Sequence, residues 1–501
     1  MKRIFFGFLP PLLAGACLRL FFGLRFPATA GDTVIYNELA SNWVKLGQYA
    51  MAVDGKPTPV DIRMPGYPAF LAVIYALTGR TGESARLAVM LAQVAVDLST
   101  CLVIAWLAAL LVSLANPRSN SKPAFITALW LAALCPFTAN YVAVPLTEVW
   151  ATLFTALAYV FLALLATQAS GNAAPDFRYR GFTQKNYGKL AALGGFLVGL
   201  GTLFRPEAPL LLVTAFVLLG YWMLRRGEAR RWFLTCVVMS LACGLPLLPW
   251  IIRNAVTLGE FQPLAPKDTM LPSEVDPKGF LAWERTWLYR MRDCYLVSWK
   301  LNEEEIHLDD IPSWAFDTPE EKERVAMVLE RYNDETTWTA QEDAVFAQLA
   351  KERTARYPLR TYLWMPLLRG VRMWFTPRIE LVPVSGHVFP LAYMREEDPV
   401  DQGITILFFL VNVLYLALGI WGASRLWRFQ RARAAIAILV AGIVVRTAFL
   451  TSLETPEPRY VLECFPALIA FAASGLWARN GEARGTPHSP PRSLPAVRGV
   501  S

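Results

Sequence analysis

Apolar segments of membrane-spanning length are the feature of this sequence that most constrains its fold. The 501-residue chain is 55% hydrophobic, and long blocks of it carry almost no charge. Each block is about 20 residues long, enough to cross roughly 30 Å of hydrocarbon as a helix. A soluble protein of this length would instead show periodic apolar faces. The sequence therefore predicts an all-α polytopic membrane protein.

Ten segments meet this description, and a further apolar stretch is too short. The predicted spans cover residues 4–24, 84–113, 124–142, 146–168, 189–204, 207–224, 231–252, 403–425, 434–453 and 459–478. The stretch from Tyr67 to Leu77 is too short to span easily, and counting it would invert every later loop. We therefore expect it to be re-entrant or to lie at the membrane interface.

The distribution of Lys and Arg predicts the orientation of the chain. Lys2 and Arg3 precede the first span, and every short loop on that side is basic, with Arg118, Lys122, Arg178, Arg180, Lys185, Lys189, Arg225, Arg226, Arg230, Arg231, Arg425, Arg428, Arg431 and Arg433. Cytoplasmic loops carry such an excess. We expect a multi-pass protein of the plasma (inner) membrane with both termini cytoplasmic. The alternative is a signal cleaved near Cys17, although the apolar run continues past it.

The spans divide the chain into four predicted parts. Residues 1–254 form an N-terminal transmembrane module, expected to be catalytic, with a first outer loop at 25–83. Residues 255–402 form an extracytoplasmic mixed or helical domain, and 403–478 hold the last spans. The tail, 479–501, is rich in Pro, Ser and Arg, which predicts a disordered cytoplasmic segment.

Local signals place helices in the outer domain. Thr318-Pro319-Glu320-Glu321 combines a helix cap, a first-turn proline and a capping-box acid, and Thr339 to Glu342 repeats the box before a helix that runs towards Tyr357. Arg360 to Phe375 is rich in Trp, Leu and Arg, which is typical of a helix lying on a membrane surface.

Charge and cysteine content exclude some function classes. The net charge is +8, yet residues 260–401 are net negative, so the basic excess lies in the loops that we place in the cytoplasm. That pattern does not indicate a nucleic-acid partner. Seven cysteines, mostly in apolar blocks, form no disulfide framework. His307, His387 and His488 are too scattered to predict a metal cluster.

Polar residues collect at the predicted outer ends of the spans, where ionisable groups are costly and usually functional. They are Asp32, Arg63, Glu148, Arg205, Glu207, Arg253, Asn254, Glu457, Arg459 and Tyr460. If the spans form a bundle, these loops can surround one cavity. Arginines recognise phosphate through paired N–H groups, and a carboxylate can deprotonate an attacking hydroxyl. The set suggests transfer of a group from a lipid phosphate to an outer acceptor.

Each of these residues also has a structural interpretation. Asp32 can simply cap the helix that follows it, and Glu148 can be a first-turn acid favoured by the helix dipole. Arg205 and Arg253 can be anchors that reach the interface. Arg446, inside the next-to-last span, is better explained by pairing with a buried acid or by reaching a cavity than by chemistry.

Four sequence pieces resemble the membrane glycosyltransferases of the GT-C superfamily. The similar branch contains protein O-mannosyltransferases and the lipid A aminoarabinose transferase, grouped as glycosyltransferase family 39 or 83-like proteins. The pieces are Asp32 with Tyr36, Leu39-Ala40, Leu46-Gly47 and Tyr49; Arg63-Met-Pro-Gly-Tyr-Pro-Ala-Phe-Leu-Ala; Gly199-Leu-Gly-Thr-Leu-Phe-Arg-Pro-Glu; and Leu248-Pro-Trp-Ile-Ile-Arg-Asn with the later Pro458-Arg-Tyr.

The resemblance implies a helical bundle, two amphipathic helices in the first outer loop and a polyprenyl-phosphate sugar donor. It also implies that Asp32 is the catalytic base and that Glu148 supports it or helps to bind a divalent cation. Arg63, Arg205, Arg253 and Arg459 become candidates for holding the donor phosphate, and Tyr67, Glu207 and Tyr460 complete the expected substrate-binding set. The protein mannosyltransferases tend to carry two adjacent acids where this chain has Asp32-Thr33, so the acceptor stays open: a glycan, a lipid or a protein.

The sequence thus predicts an integral membrane glycosyltransferase that acts with inversion on the periplasmic or exterior face. A transporter or flippase of lipid-linked saccharide is the first alternative, and it predicts ionisable residues at mid-span and an internal repeat. A structural assembly subunit is the second, and it predicts that Asp32→Asn is tolerated.

Overall fold

The protein is a helical bundle with an additional group of helices on one side. The computed structural model describes residues 2–171, 186–266, 270–271, 274–389 and 398–478. Within them, helices dominate and the two strands form one small hairpin. The prediction of an all-α polytopic fold is confirmed. The tail predicted to be disordered lies outside the described residues.

The first outer loop is folded. After the first membrane-length helix the chain forms two shorter helices with a hairpin between them: α1 Lys2–Arg25, α2 Gly31–Leu46, β1 Ala50–Val53, β2 Lys56–Pro59 and α3 Gly66–Thr78. The hairpin turns at Asp54-Gly55, both with positive φ, as a two-residue turn requires. At 13 residues, α3 is only about 20 Å long and too short to cross a bilayer.

The middle of the chain supplies most of the bundle. Its helices are α4 Arg86–Ala115, α5 Lys122–Ala133, α6 Pro136–Ala139, α7 Glu148–Ala169, α8 Tyr187–Thr202, α9 Leu210–Leu224 and α10 Ala229–Thr257. The α7 helix is central and mostly buried, whereas the outer face of α10 exposes large apolar side chains such as Leu241 and Ile252. Such a face is stable only against lipid or another apolar surface.

The outer region builds a separate hydrophobic core. Its helices are α11 Lys278–Glu284, α12 Met291–Leu296, α13 Pro319–Glu335, α14 Ala340–Arg356 and α15 Met365–Trp374. Trp283, Trp287 and Trp338 are almost fully buried in this core. The two predicted helix caps are present: Thr318 and Thr339 each accept the backbone N–H three residues later. The predicted domain boundaries themselves stay a prediction.

The last described residues form three α-helices. They are α16 Pro399–Trp427, α17 Arg433–Ser452 and, after a short 3-10 helix at Pro458–Cys464, α18 Phe465–Trp477. Among the described residues, seven helices are long and apolar enough to cross a membrane, or eight if the bent pair Lys122–Ala133 and Pro136–Ala143 counts as one span. The predicted ten also include α8 and α9, which have 16 and 15 residues.

Candidate active site

Asp32 lies in the first turn of α2 and faces two arginines from distant parts of the chain. Its Oδ1 accepts from Arg63 Nη2 at 2.6 Å, and its Oδ2 accepts from Arg459 Nη2 at 2.9 Å. The capping position belongs to Ala30, whose N–H donates to the Thr33 hydroxyl. The carboxylate is therefore not the cap of its helix, and both of its oxygens are directed to guanidinium groups.

The two arginines set the ionisation of Asp32. Burial by itself would raise the pKa of this carboxyl, but the positive charges of Arg459 and Arg63 outweigh it and hold the pKa well below its ordinary range. The Asp32 and Arg63 side chains each remain 21% exposed, so the pair is reachable from outside. In this state Asp32 is ionised and accessible, but it is a weak base.

Arg459 connects Asp32 to two further acids. Its Nη1 lies 3.5 Å from Glu148 Oε1, and its guanidinium also contacts the carboxylate of Glu457. Glu457 in turn accepts from the Tyr460 hydroxyl at 2.9 Å. Pro458 starts the 3-10 helix that presents this Arg-Tyr pair at the entrance to α18. One guanidinium therefore bridges the first outer loop, α7 and the last outer turn.

Glu148 is the first residue of α7 and is almost fully buried. Its Oε1 accepts from Arg205 Nη2 at 2.5 Å, while its Oε2 has no hydrogen-bond partner among the described residues. Arg205 follows α8 in the Phe-Arg-Pro-Glu turn, and its guanidinium lies over the Tyr460 ring at 5.2 Å. A buried carboxylate oxygen without a partner is costly, so Glu148 has an unused acceptor atom in this site.

A second ion-pair group lies behind the first. Arg446 Nη2 contacts Glu207 Oε1 at 3.0 Å and Glu463 Oε1 at 2.6 Å, and its Nε donates to the Tyr460 carbonyl at 3.2 Å. The sequence interpretation that Arg446 pairs with a buried acid matches this geometry. Glu463 was missed because it sits within a predicted span. An acid inside an apolar run is itself a signal, since it must be paired.

A close backbone contact joins two of the motifs. The Gly66 N–H donates to the Leu203 carbonyl at 2.8 Å. A Cβ at position 66 would lie 2.5 Å from that carbonyl oxygen, so only glycine fits. The segment that carries Arg63 is therefore fixed against the turn that carries Arg205.

Two predicted substrate-binding residues lie outside this network. Tyr67 is fully buried, and its hydroxyl donates to Gln93 Oε1 at 2.8 Å. Arg253 donates to the carbonyls of Tyr49 at 2.6 Å and Val60 at 2.8 Å, which ties the hairpin of the first outer loop to α10. Both side chains make structural contacts, and their roles in substrate binding stay predictions.

The carboxylates do not present a ligand set for a divalent cation. Both Asp32 oxygens and Glu148 Oε1 face guanidinium groups, which a cation would have to displace. Among the described residues, no group of three or more His, Cys, Asp and Glu side chains is arranged to hold a metal ion.

The network is instead suited to bind an anion next to a base. Three arginines, Arg63, Arg205 and Arg459, point at one region, and charge-assisted guanidinium pairs are strong and directional. Asp32 and Glu148 lie among them as proton acceptors. This combination can hold a phosphate while a neighbouring hydroxyl loses its proton.

No family model and no curated protein matches the sequence. Among solved structures, the chain is similar to the archaeal oligosaccharyltransferase AglB from Archaeoglobus fulgidus in complex with an inhibitory peptide and a dolichol-phosphate, with 13% identity and a TM-score of 0.43. The match covers 93% of this chain and 50% of that one, so this chain spans about half its length. The apo form gives 14% identity and a TM-score of 0.47 over the same shares.

The chain is also similar to ArnT from Cupriavidus metallidurans bound to undecaprenyl phosphate, with 13% identity and a TM-score of 0.38, covering 94% of this chain and 78% of that one. Both matched proteins are membrane glycosyltransferases of the GT-C superfamily, the superfamily that the sequence resembles. Likenesses this distant assign no substrate, partner or residue role to the present chain.

Proposed function

We propose that the protein is an integral membrane glycosyltransferase. It moves a sugar from a polyprenyl-phosphate donor to an acceptor hydroxyl on the extracytoplasmic side, with inversion at the anomeric carbon. The observation that carries this proposal is the position of Asp32 between Arg63 and Arg459, with Glu148 and Arg205 next in the same network.

The reaction is a single displacement. The acceptor hydroxyl gives its proton to Asp32, its oxygen bonds to the anomeric carbon, and the bond from that carbon to the phosphate oxygen breaks. The leaving group is polyprenyl phosphate, which gains one negative charge as it departs. Arg63, Arg205 and Arg459 stabilise that charge, because fixed guanidinium groups need no reorganisation when it develops. Glu148 orients the acceptor or the arginines through its carboxylate.

Donor binding also changes the strength of the base. In the described residues, Arg63 and Arg459 both donate to Asp32. A phosphate that takes over these N–H groups removes the interactions that depress the pKa of Asp32. The carboxylate then becomes more basic at the moment when the donor is in place. Binding of the donor lipid therefore triggers proton abstraction. In the empty site, Asp32 stays a weak base and abstraction is limited.

The test is transfer from a panel of radiolabelled polyprenyl-phosphate sugars by purified protein in membranes. We expect wild type to transfer label and Asp32→Asn to lose about 10²–10⁴-fold in rate, the usual contribution of a general base. The matched control is Glu38→Gln, on the same helix, whose exposed carboxylate accepts from the Ala52 N–H. Its activity should equal that of wild type.

Equal transfer by wild type and a folded Asp32→Asn protein would contradict the role of Asp32 and direct attention to Glu148. If no donor is used while a labelled lipid-linked sugar still crosses the membrane, the transporter reading replaces the transferase. If neither activity occurs and Asp32→Asn is tolerated in the cell, the structural-subunit alternative is favoured.

A further inference from the structure

An exposed aromatic pair lies on the outer region. Tyr295 is the second-to-last residue of α12, and Trp299 lies in the 3-10 turn Ser298–Lys300 that follows. Their ring centroids are 4.5 Å apart and the rings meet nearly at right angles. Tyr295 is 53% exposed and Trp299 is 42% exposed. The neighbouring core buries Trp283, Trp287 and Trp338 almost completely, whereas the faces of these two rings are open.

The turn that carries the pair is connected to the last turn of the candidate active site. Burial raises the pKa of the Tyr295 phenol, and the charges of Glu457 and Glu380 raise it further while Arg459 lowers it. The contacts connect the same regions. The Ser298 hydroxyl, next to Trp299, donates to Glu284 Oε1. The following residue, Arg285, pairs with Glu454 at 3.0 Å, in the turn that leads to Glu457 and Arg459. Glu380 accepts from the Tyr141 hydroxyl at 3.3 Å, so this second carboxylate is also tied to the bundle.

The backbone that carries the two rings is fixed. Cys294 and Val297 are fully buried in the outer core. The Ser298 hydroxyl donates to Glu284 Oε1 at 2.6 Å, which anchors the turn just before Trp299. Two aromatic side chains on a fixed backbone lose little conformational entropy when a ligand stacks on them.

The surroundings of the pair do not suit lipid. Lys300, next to Trp299, is paired with Asp310 at 3.3 Å. Three exposed acids, Glu303, Glu304 and Glu305, begin three residues further along the chain. A different surface of the outer region has the properties that lipid requires: the stretch from Leu359 to Phe375 exposes Tyr362, Leu363, Leu367 and Val371. It also carries arginines and no acid. Acidic surroundings repel anionic headgroups, whereas basic ones attract them.

Sugars match an aromatic face bordered by carboxylates. The C–H side of a pyranose ring is apolar and packs on an aromatic ring, while its hydroxyls donate to carboxylates. A peptide would need partners for its backbone N–H and C=O groups, and the two rings offer only the Tyr295 hydroxyl and the Trp299 indole N–H. The chemistry of the pair therefore favours a sugar.

We propose that Tyr295 and Trp299 form the acceptor subsite and that they stack on a pyranose, so that the attacking hydroxyl belongs to a glycan or glycolipid headgroup. The inference rests on the proposed function, since it names the acceptor class for that reaction.

The experiment compares Tyr295→Ala and Trp299→Ala with wild type in full-length protein in membranes, using the donor that wild type accepts. The acceptor probes are methyl β-glucopyranoside, methyl β-galactopyranoside and a capped tripeptide with a central threonine. We expect wild type to transfer to a glycoside, and each variant to raise the KM of that glycoside about tenfold. The KM of the donor, and slow transfer of its sugar to water, should stay unchanged.

The matched control is Tyr362→Ala, which removes an aromatic ring that is 74% exposed on the other surface. It should leave the KM of the glycoside unchanged. Unchanged transfer to water shows that the Tyr295 and Trp299 variants are folded. A rise in the KM of the glycoside is then not caused by unfolding.

Three results would overturn the inference. They are transfer by wild type to the threonine peptide alone, a glycoside KM that neither variant changes, and a rise that Tyr362→Ala reproduces. Failure of wild type to use any donor, with water or with acceptors, is a distinct result, because it removes the proposed function itself and the subsite with it.

Discussion

Two carboxylate–guanidinium groups in this protein contain the same kinds of side chain and differ in their surroundings. Arg19 on α1 pairs with Asp97 on α4 at 2.5 Å, with side chains 0% and 3% exposed. Each guanidinium nitrogen of Arg19 has an acceptor: Asp97, the carbonyls of Gly15, Ala132 and Ala133, and Cys101 Sγ. The pair is closed, and no ligand can reach it without opening the bundle.

The group around Asp32 is open by comparison. Asp32 and Arg63 are each 21% exposed, and Arg459 is 15% exposed. Glu148 Oε2 and Arg205 Nε lack a hydrogen-bond partner among the described residues. A closed pair fixes helices against each other, whereas an open one with unused polar atoms can exchange partners. Arg19 and Asp97 are ionisable groups within spans, the kind that a transporter would need, and both are fully committed to packing.

Breaking the closed pair should give the largest effect on folding. Asp97→Asn leaves the Arg19 charge buried without its partner, which costs about 3–5 kcal/mol. Thermal unfolding in detergent should show a large fall in Tm, while Asp32→Asn should unfold close to wild type. The double replacement Arg19→Met with Asp97→Leu should recover much of the loss. A stable, active Asp97→Asn protein would show that the two groups are not different in kind.

The second ion-pair group should affect catalysis through position. Arg446→Lys keeps the charge, but one ammonium cannot reproduce the guanidinium that contacts Glu207, Glu463 and the Tyr460 carbonyl together. We expect the donor KM to rise about tenfold with a smaller change in kcat, because Arg459 adjoins Tyr460 and shifts with it. The control is Arg433→Lys at the exposed start of α17. A loss of kcat alone would contradict this positioning role.

The pH dependence of activity tests whether a donor phosphate replaces Asp32 as the partner of the two arginines. The profile of kcat/KM reports the free enzyme, in which the pKa of Asp32 lies below its ordinary value of 3.8. Its acid limb should therefore lie at very low pH. The profile of kcat reports the complex, in which, according to the proposed function, the donor phosphate accepts from Arg63 and Arg459 in place of Asp32. We expect its acid limb to lie about 1–3 pH units higher. Coincident limbs would mean that the donor does not displace Asp32.

Arg253 should give the smallest effect on turnover. Arg253→Ala removes two hydrogen bonds to the hairpin, so we expect faster proteolysis near Gly55 and a loss of about 1–3 kcal/mol in stability. The donor KM should change by less than about threefold, because the guanidinium lies outside the network around Asp32. A tenfold rise in that KM would return Arg253 to the phosphate-binding set.

The helical fold could be predicted because bilayer thickness imposes a segment length that is visible along the chain. Capping at Thr318 and Thr339 could be predicted for a similar reason, since it depends on residues three positions apart. The residue pairs of the candidate site could not be predicted from the sequence. Arg459 and Asp32 are 427 residues apart, and no local pattern specifies which arginine meets which acid. Tyr67 was placed in the site by its motif. Its ring is buried and its hydroxyl donates to Gln93, and its role in substrate binding stays a prediction.

The contact between Gly66 and Leu203 has a mechanical consequence. With a hydrogen bond and no room for a side chain, the segment after Arg63 and the turn before Arg205 cannot slide past each other. A displacement of the loop that carries either arginine therefore also displaces the other loop. In the proposed function, Arg63 and Arg205 therefore hold the phosphate at a spacing that this backbone contact keeps constant.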